Sequence, residues 1–116
     1  MINRINIGIR PFSINRYYTV YRGHTNISAS GRIWRDKILD YIKDLDITLT
    51  DKPLHVIYDF GFSSMEQDID ASIKPLQDTL EGIIWVNDIQ IVKLEVNKYI
   101  VKEDFISIEW NELKES

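Results

Sequence analysis

The segment Leu54-His55-Val56-Ile57-Tyr58-Asp59-Phe60 sets the strongest limit on what this chain can become. Leu54, Val56, Tyr58 and Phe60 fall at every second position, so a strand puts all four on one face, and that face needs a covering layer. The cover is written upstream. Trp34, Ile38, Tyr41 and Leu45 recur at steps of four, three and four with Ile42 beside them. This is the period of an amphipathic helix over about 30–46, which Ser28 or Ser30 can cap. Residues 2–10 carry isoleucines at 2, 5, 7 and 9, a second strand signal, while 11–29 read as a loop with room for a short hairpin. A helix is expected over about 70–81, stopped by Gly82. Pro75 requires either that it begin near Lys74 or that its first turn be distorted. Residues 89–97 and 104–110 close the chain as strands. The order strand, helix, strand, helix, strand, strand predicts an α/β or α+β sandwich of one sheet and two main helices.

The 116 residues suit a single domain, 1–116. Absence of cysteine excludes disulfides and thiolate zinc sites and is compatible with a reducing cytoplasm. Neither a signal-like N-terminus nor a membrane-length apolar run is visible, so a soluble cytoplasmic protein with no membrane partner is expected. The net charge of −4 would argue against nucleic acid, but its distribution does not. Residues 1–37 hold six arginines and Lys37 against the single acid Asp36, whereas 38–116 hold seven lysines against seventeen acids. Every arginine lies in the first third, and the planar guanidinium fork suits phosphate. In "RYYTVYRGH", Arg16, Tyr17, Tyr18, Tyr21 and Arg22 interleave charge with rings, as nucleic-acid surfaces do. Tyrosines packed beneath a loop, with arginines turned to water, would give the same pattern.

The acids cluster in "DIDASIKPLQDTLEG", residues 68–82. In a helix, Asp70, Lys74 and Asp78 share one face, which is the spacing of a solvent-exposed ladder of weak ion pairs. Asp68 does not fit that ladder. Two aspartates two residues apart at a loop-to-helix junction crowd negative charge, which a cation between them would relieve. With no cysteine and two histidines lacking ligand spacing, that cation would be a hard one on oxygen, Mg²⁺ or Mn²⁺. Asp88, in "WVNDIQIV" at the expected start of a strand, is a candidate third ligand. Trp34 and Trp85 read as core.

Two blocks together resemble the RusA family of Holliday-junction resolvases. The first, 11–36, carries Pro11, Asn15, Arg16, Tyr17, Arg22, Gly23, Ser28, Gly31 and Arg35 at the family's positions. The second, 68–92, carries Asp68, Asp70, Lys74, Asp78, Gly82, Asp88 and Gln90. The resemblance implies a mixed sheet of about four strands with two main helices. It also implies a Mg²⁺-dependent endodeoxyribonuclease, acting as a homodimer, that cuts branched four-way DNA by paired nicks on opposed strands. Asp68, Asp70 and Asp88 would be the metal-binding carboxylates and Lys74 the catalytic lysine. Asn15, Arg16, Tyr17, Arg22, Arg32 and Arg35 would face DNA. Such proteins act in DNA recombination and repair and are often phage- or prophage-borne.

Three positions depart from the pattern. Ala71 stands where the family has Asn, Asn87 where it has the first Asp of a pair, and the segment before Asp68 reads SSMEQ, not basic. They keep a second reading open: a relative that binds branched DNA with weak cleavage or none.

Overall fold

The computed structural model describes residues 2–114. Its elements run β1 (Arg4–Ile7), α1 (Ile14–Tyr17), β2 (Tyr18–Tyr21), β3 (His24–Ile27), α2 (Ala29–Ile42), β4 (Leu54–Phe62), α3 (Ile73–Leu80), β5 (Ile91–Ile100) and β6 (Phe105–Glu112). Four strands form one sheet in the order β1-β6-β4-β5. β4 runs parallel to β5 and antiparallel to β6, and β1 runs antiparallel to β6, so the sheet is mixed as expected. A parallel neighbour needs a crossover, and α3 lies within the β4–β5 connection. Both the acidic turn and Asp88 belong to that crossover.

The alternation in β4 is realised: Leu54, Val56, Tyr58, Phe60 and Phe62 are all fully buried. They share one core with Trp34, Ile38 and Ile42 of α2 and Leu76 and Leu80 of α3. The inward stripe of α2 is thus a strict four-residue repeat. The helix ends at Ile42, and Tyr41 and Leu45 are exposed. Ser28 is the cap: its Oγ accepts from the Gly31 amide at 3.0 Å and donates to the Arg16 carbonyl at 2.6 Å. Gly31 is needed there, since a Cβ would stand 2.9 Å from the Tyr17 carbonyl oxygen.

Three local features complete the expectation. Residues 14–17 form a one-turn helix, started by Ser13, whose side chain accepts from the Asn15 amide. The hairpin is real, and Arg22 and Gly23 form its two-residue turn with positive φ of 51° and 76°. That is the mirror-image turn geometry that strand twist favours. Finally, α3 begins at Ile73, the later start beside Lys74 that Pro75 offered as one of two solutions. Pro75 falls in its first turn, the one place a helix accepts proline, so the distortion is resolved by a later start.

Candidate active site

The basic and acidic stretches, remote in sequence, are joined at two points. The Ile14 amide donates to the Ala71 carbonyl at 2.7 Å, fixing α1 against the turn that precedes α3. The Tyr18 hydroxyl donates to the Asp78 carboxylate. Burial first, then the bond and charge of Asp78, raise the Tyr18 phenol well above its ordinary pKa, so it stays protonated and keeps donating. Asp78 also receives Lys74 Nζ at 3.2 Å. The ion pair expected from four-residue spacing therefore forms, with the Lys74 side chain 60% exposed. Asp70 lies before the helix and is outside that ladder.

Asp88 opens a three-residue 3-10 turn ahead of β5, and not the strand itself. Asn87 caps that turn: its side chain accepts from the Ile89 amide at 3.0 Å, while Gln90 Oε1 accepts from the Asn87 amide at 2.8 Å. Gln90 then anchors the turn, donating to the carbonyls of Thr50 and Lys52. Asn in place of a family Asp thus has a local structural use. Trp85, fully buried as expected, donates its indole N–H to Asp88 Oδ1 at 2.7 Å. Glu81 accepts from the Asp88 amide at 3.3 Å. Burial raises the Asp88 pKa most and the Trp85 bond opposes it, but Glu81 and the charge of Asp78 push it up further. The hydroxyl of Tyr58, buried in β4, has no hydrogen-bond partner among the described residues, and its ionisation is opposed by burial and then by the Asp88 charge.

Asp68 and Asp70 are held differently. Both are exposed in the turn before α3, and among the described residues neither carboxylate has a hydrogen-bond or ion-pair partner. Their turn is fixed through its backbone. Ala71 and Ile73 amides donate to the carbonyls of Asp68 and Asp70 at 3.2 and 3.3 Å. Lys98 Nζ, from β5, donates to the carbonyls of Met65 and Gln67 and lies 5.9 Å over the Phe62 ring. Ala71 is buried, so the position that departs from the family faces inward.

Among the described residues, no three His, Asp or Glu side chains group closely enough to hold a metal ion. Asp88 is brought to Asp78 and Glu81, while Asp68 and Asp70 stand apart from a closed coordination sphere. In donor chemistry the set still suits a hard cation. It is all oxygen, and the crowding that raises Asp88 is what a divalent charge would relieve.

The expected DNA-facing residues divide. Tyr17 is fully buried, edge-on to Tyr18 and Trp34, so it is a core residue and offers no ring to DNA. Arg16 stacks over Phe12 at 5.4 Å and Arg22 over Tyr21 at 5.2 Å. Arg32 donates to the Ile27 carbonyl, and Arg35 meets Asp36 at 3.4 Å. Asn15 is exposed on α1. Sequence reasoning missed Tyr18, Glu81 and Lys98 as neighbours of the acids. Glu81 follows one residue after α3, but the contacts of Tyr18 and Lys98 span 60 and 31 residues and leave no local signal.

Among the described residues no helix is long and apolar enough to cross a membrane. Residues 9–109 match the family model described as Endodeoxyribonuclease RusA. The chain is 36% identical over 92 residues to the crossover junction endodeoxyribonuclease RusA of Shigella sonnei (strain Ss046), covering 76% of each chain. It is 35% identical over the same length and shares to the protein of that name from Escherichia coli (strain K12). The corresponding protein of Enterobacteria phage 82 is 36% identical over 92 residues, again 76% of each chain.

Proposed function

The chain belongs to the RusA family of endodeoxyribonucleases, and from that footing we propose that it resolves four-way DNA junctions by Mg²⁺-dependent paired nicks. Asp68, Asp70 and Asp88 would hold the ion, with Mn²⁺ as a possible substitute, and Lys74 would be the catalytic lysine. A divalent ion held there supplies charge neutralisation at the phosphate and a more acidic water. The remaining work falls to the chain. Trp85 fixes Asp88, and Lys98 fixes the backbone leading to Asp68. Lys74, exposed at the surface and borrowed by Asp78, can turn its ammonium to the phosphate oxygens and stabilise charge that develops in the transition state.

The observation that carries this reading is Asp88, held by a buried indole in a crowd of anions where a surface carboxylate would normally be left to water. Action as a homodimer fits a substrate with two equivalent strands. A cytoplasmic setting, in recombination or repair and including prophage DNA, suits a branched-DNA substrate and a chain with a phage-encoded relative.

The test is incubation with a synthetic four-way junction and with linear duplex, in Mg²⁺ and in chelator. Paired nicks on the junction alone, lost in Asp70→Asn and in Lys74→Ala, are expected. The second reading, junction binding without efficient cutting, draws on the separation of Asp68 and Asp70 from Asp88 and on Ala71. Tight binding with no product at any divalent concentration would replace the first reading with the second.

A further inference from the structure

A cavity of about 490 Å³ lies beside the site, in the size range that takes a single small ligand. It opens between the segment before α1 and the outer face of α2. Arg10, Arg16 and Lys37 line it, and no acid does, in a chain whose net charge is −4. Its other wall is apolar: Phe12 is partly exposed and Ile33 is 59% exposed, while Trp34 backs them from the core and donates to the Arg10 carbonyl at 2.9 Å. Gln67 also lines the cavity. Its carbonyl is held by Lys98, and the next residue is Asp68. The groove therefore adjoins the acidic turn through Gln67.

Cations alone would describe a track for duplex phosphates. Cations beside an exposed isoleucine, one of them stacked on a ring, in a half-open groove describe something narrower, a place for a phosphate together with the flat face of a base. Bases stacked within a duplex present no such face, whereas a base at a branch lacks a continuous stack on one side and costs less to extrude. The geometry points to this groove as the receptor for one nucleotide extruded at the branch of the DNA, its phosphate on Arg10 and Lys37 and its base against Ile33 and the Arg16 guanidinium that covers the Phe12 ring. This rests on the junction-nuclease reading and adds Arg10, Lys37 and Ile33 to the DNA contacts. It also sets the register in which the neighbouring phosphate meets the acids.

The experiment uses full-length Asp70→Asn protein on a four-way junction with 5-iododeoxyuridine placed in turn at each branch-flanking position, followed by near-ultraviolet cross-linking and peptide mapping. A cross-link from one such position to Phe12 or Trp34 is expected, falling at least tenfold in Ile33→Asp. Lys37→Glu, at an exposed helical position, should weaken junction binding about tenfold and reduce the salt slope by about one. Lys102→Glu, an exposed cation outside the groove, should change neither. Single-stranded oligonucleotide should compete for the cross-link. Equal competition by free thymidine monophosphate would overturn a strand as the ligand. Cross-links confined to other segments, or equal weakening by Lys37→Glu and Lys102→Glu, would overturn the groove even where wild-type protein binds and cuts junctions normally. Wild-type protein that neither binds nor cuts junctions would instead remove the nuclease reading, and this inference with it.

Discussion

The two ends of the β4–β5 crossover hold their acids in opposite ways. Asp88 is fixed through its side chain, by a buried indole at 2.7 Å, and sits against Glu81 and Asp78. Asp68 and Asp70 are exposed, their carboxylates without a partner among the described residues, on a backbone secured by Lys98 and by the Ile14–Ala71 bond. One end is pre-organised at an electrostatic cost, while the other carries little cost and little order. A site divided this way can avoid gathering three like charges until something positive arrives to share them. The contrast teaches that the order of the site resides in Trp85 and Lys98, residues absent from the expected ligand list.

The largest test of the contrast lies on the loose side. Asp68→Asn, Asp70→Asn and Lys74→Ala should each lower junction cleavage by about 10²–10³-fold or more. Because all three side chains are exposed, chemical denaturation should find stability unchanged within about 0.5 kcal/mol. A comparable loss of stability would mean that these residues hold the fold, and the distinction between the two ends would fail.

Next comes the indole. Trp85→Phe keeps a ring in the core and removes the donor to Asp88. Loss of a group that orients a ligand typically lowers metal affinity or activity about 10–100-fold. The vacated core volume should add about 1–3 kcal/mol of destabilisation. The informative measurement is the Mg²⁺ concentration for half-maximal cleavage, which should rise for Trp85→Phe. If only stability moves, Trp85 is core and nothing more.

Lys98→Met comes third, with an expected loss of about tenfold in cleavage at saturating Mg²⁺. It keeps apolar contact with Phe62 but removes two bonds to the carbonyls of Met65 and Gln67. Amide exchange should quicken at 63–68 while the protection of β4 and β5 persists. Unchanged exchange in that loop would show that the turn draws its order from elsewhere.

What could be read from the sequence follows from how local each signal is. β4 and α2 were legible because period two and a helical spacing of apolar residues report burial directly, while the mixed sheet came from the family resemblance. Pro75 also announced a shortened α3. The error at the far end of α2 has a physical source: Tyr41 lies beside the buried Trp34-Ile38-Ile42 stripe and faces out, and the helix stops at Ile42, before Leu45. At the site, the ligand candidates and Lys74 were legible through charge crowding and family resemblance. Their unequal support was not, because Trp85 reads simply as core and Lys98 reaches back across 31 residues. Tyr17 misled for a related reason: a tyrosine among arginines looks like a stacking ring until packing places it inside.

The smallest effect is the most direct probe of the fixed end. Asp88 has its pKa raised in the folded protein, so its ionised form opposes folding. That opposition is complete above the folded pKa and disappears once the pH falls below the ordinary carboxylate value, where folded and unfolded chains are both protonated. Asp88→Asn removes the charge yet leaves an oxygen to accept from Trp85. At neutral pH without divalent ion, the variant should therefore be more stable than wild type, on the order of 0.5 kcal/mol after allowance for screening by solvent, or about 2–3 °C in Tm. The advantage should shrink on acidification. Under the proposed metal site, added Mg²⁺ should reverse it, because the wild type would gain stability by binding an ion that the variant lacks a carboxylate to hold. An Asn variant less stable than wild type at neutral pH would mean that the charged bond to Trp85 outweighs the surrounding anions. Asp88 would then be comfortable without a cation, and the difference between the two ends of the crossover would lose its electrostatic basis.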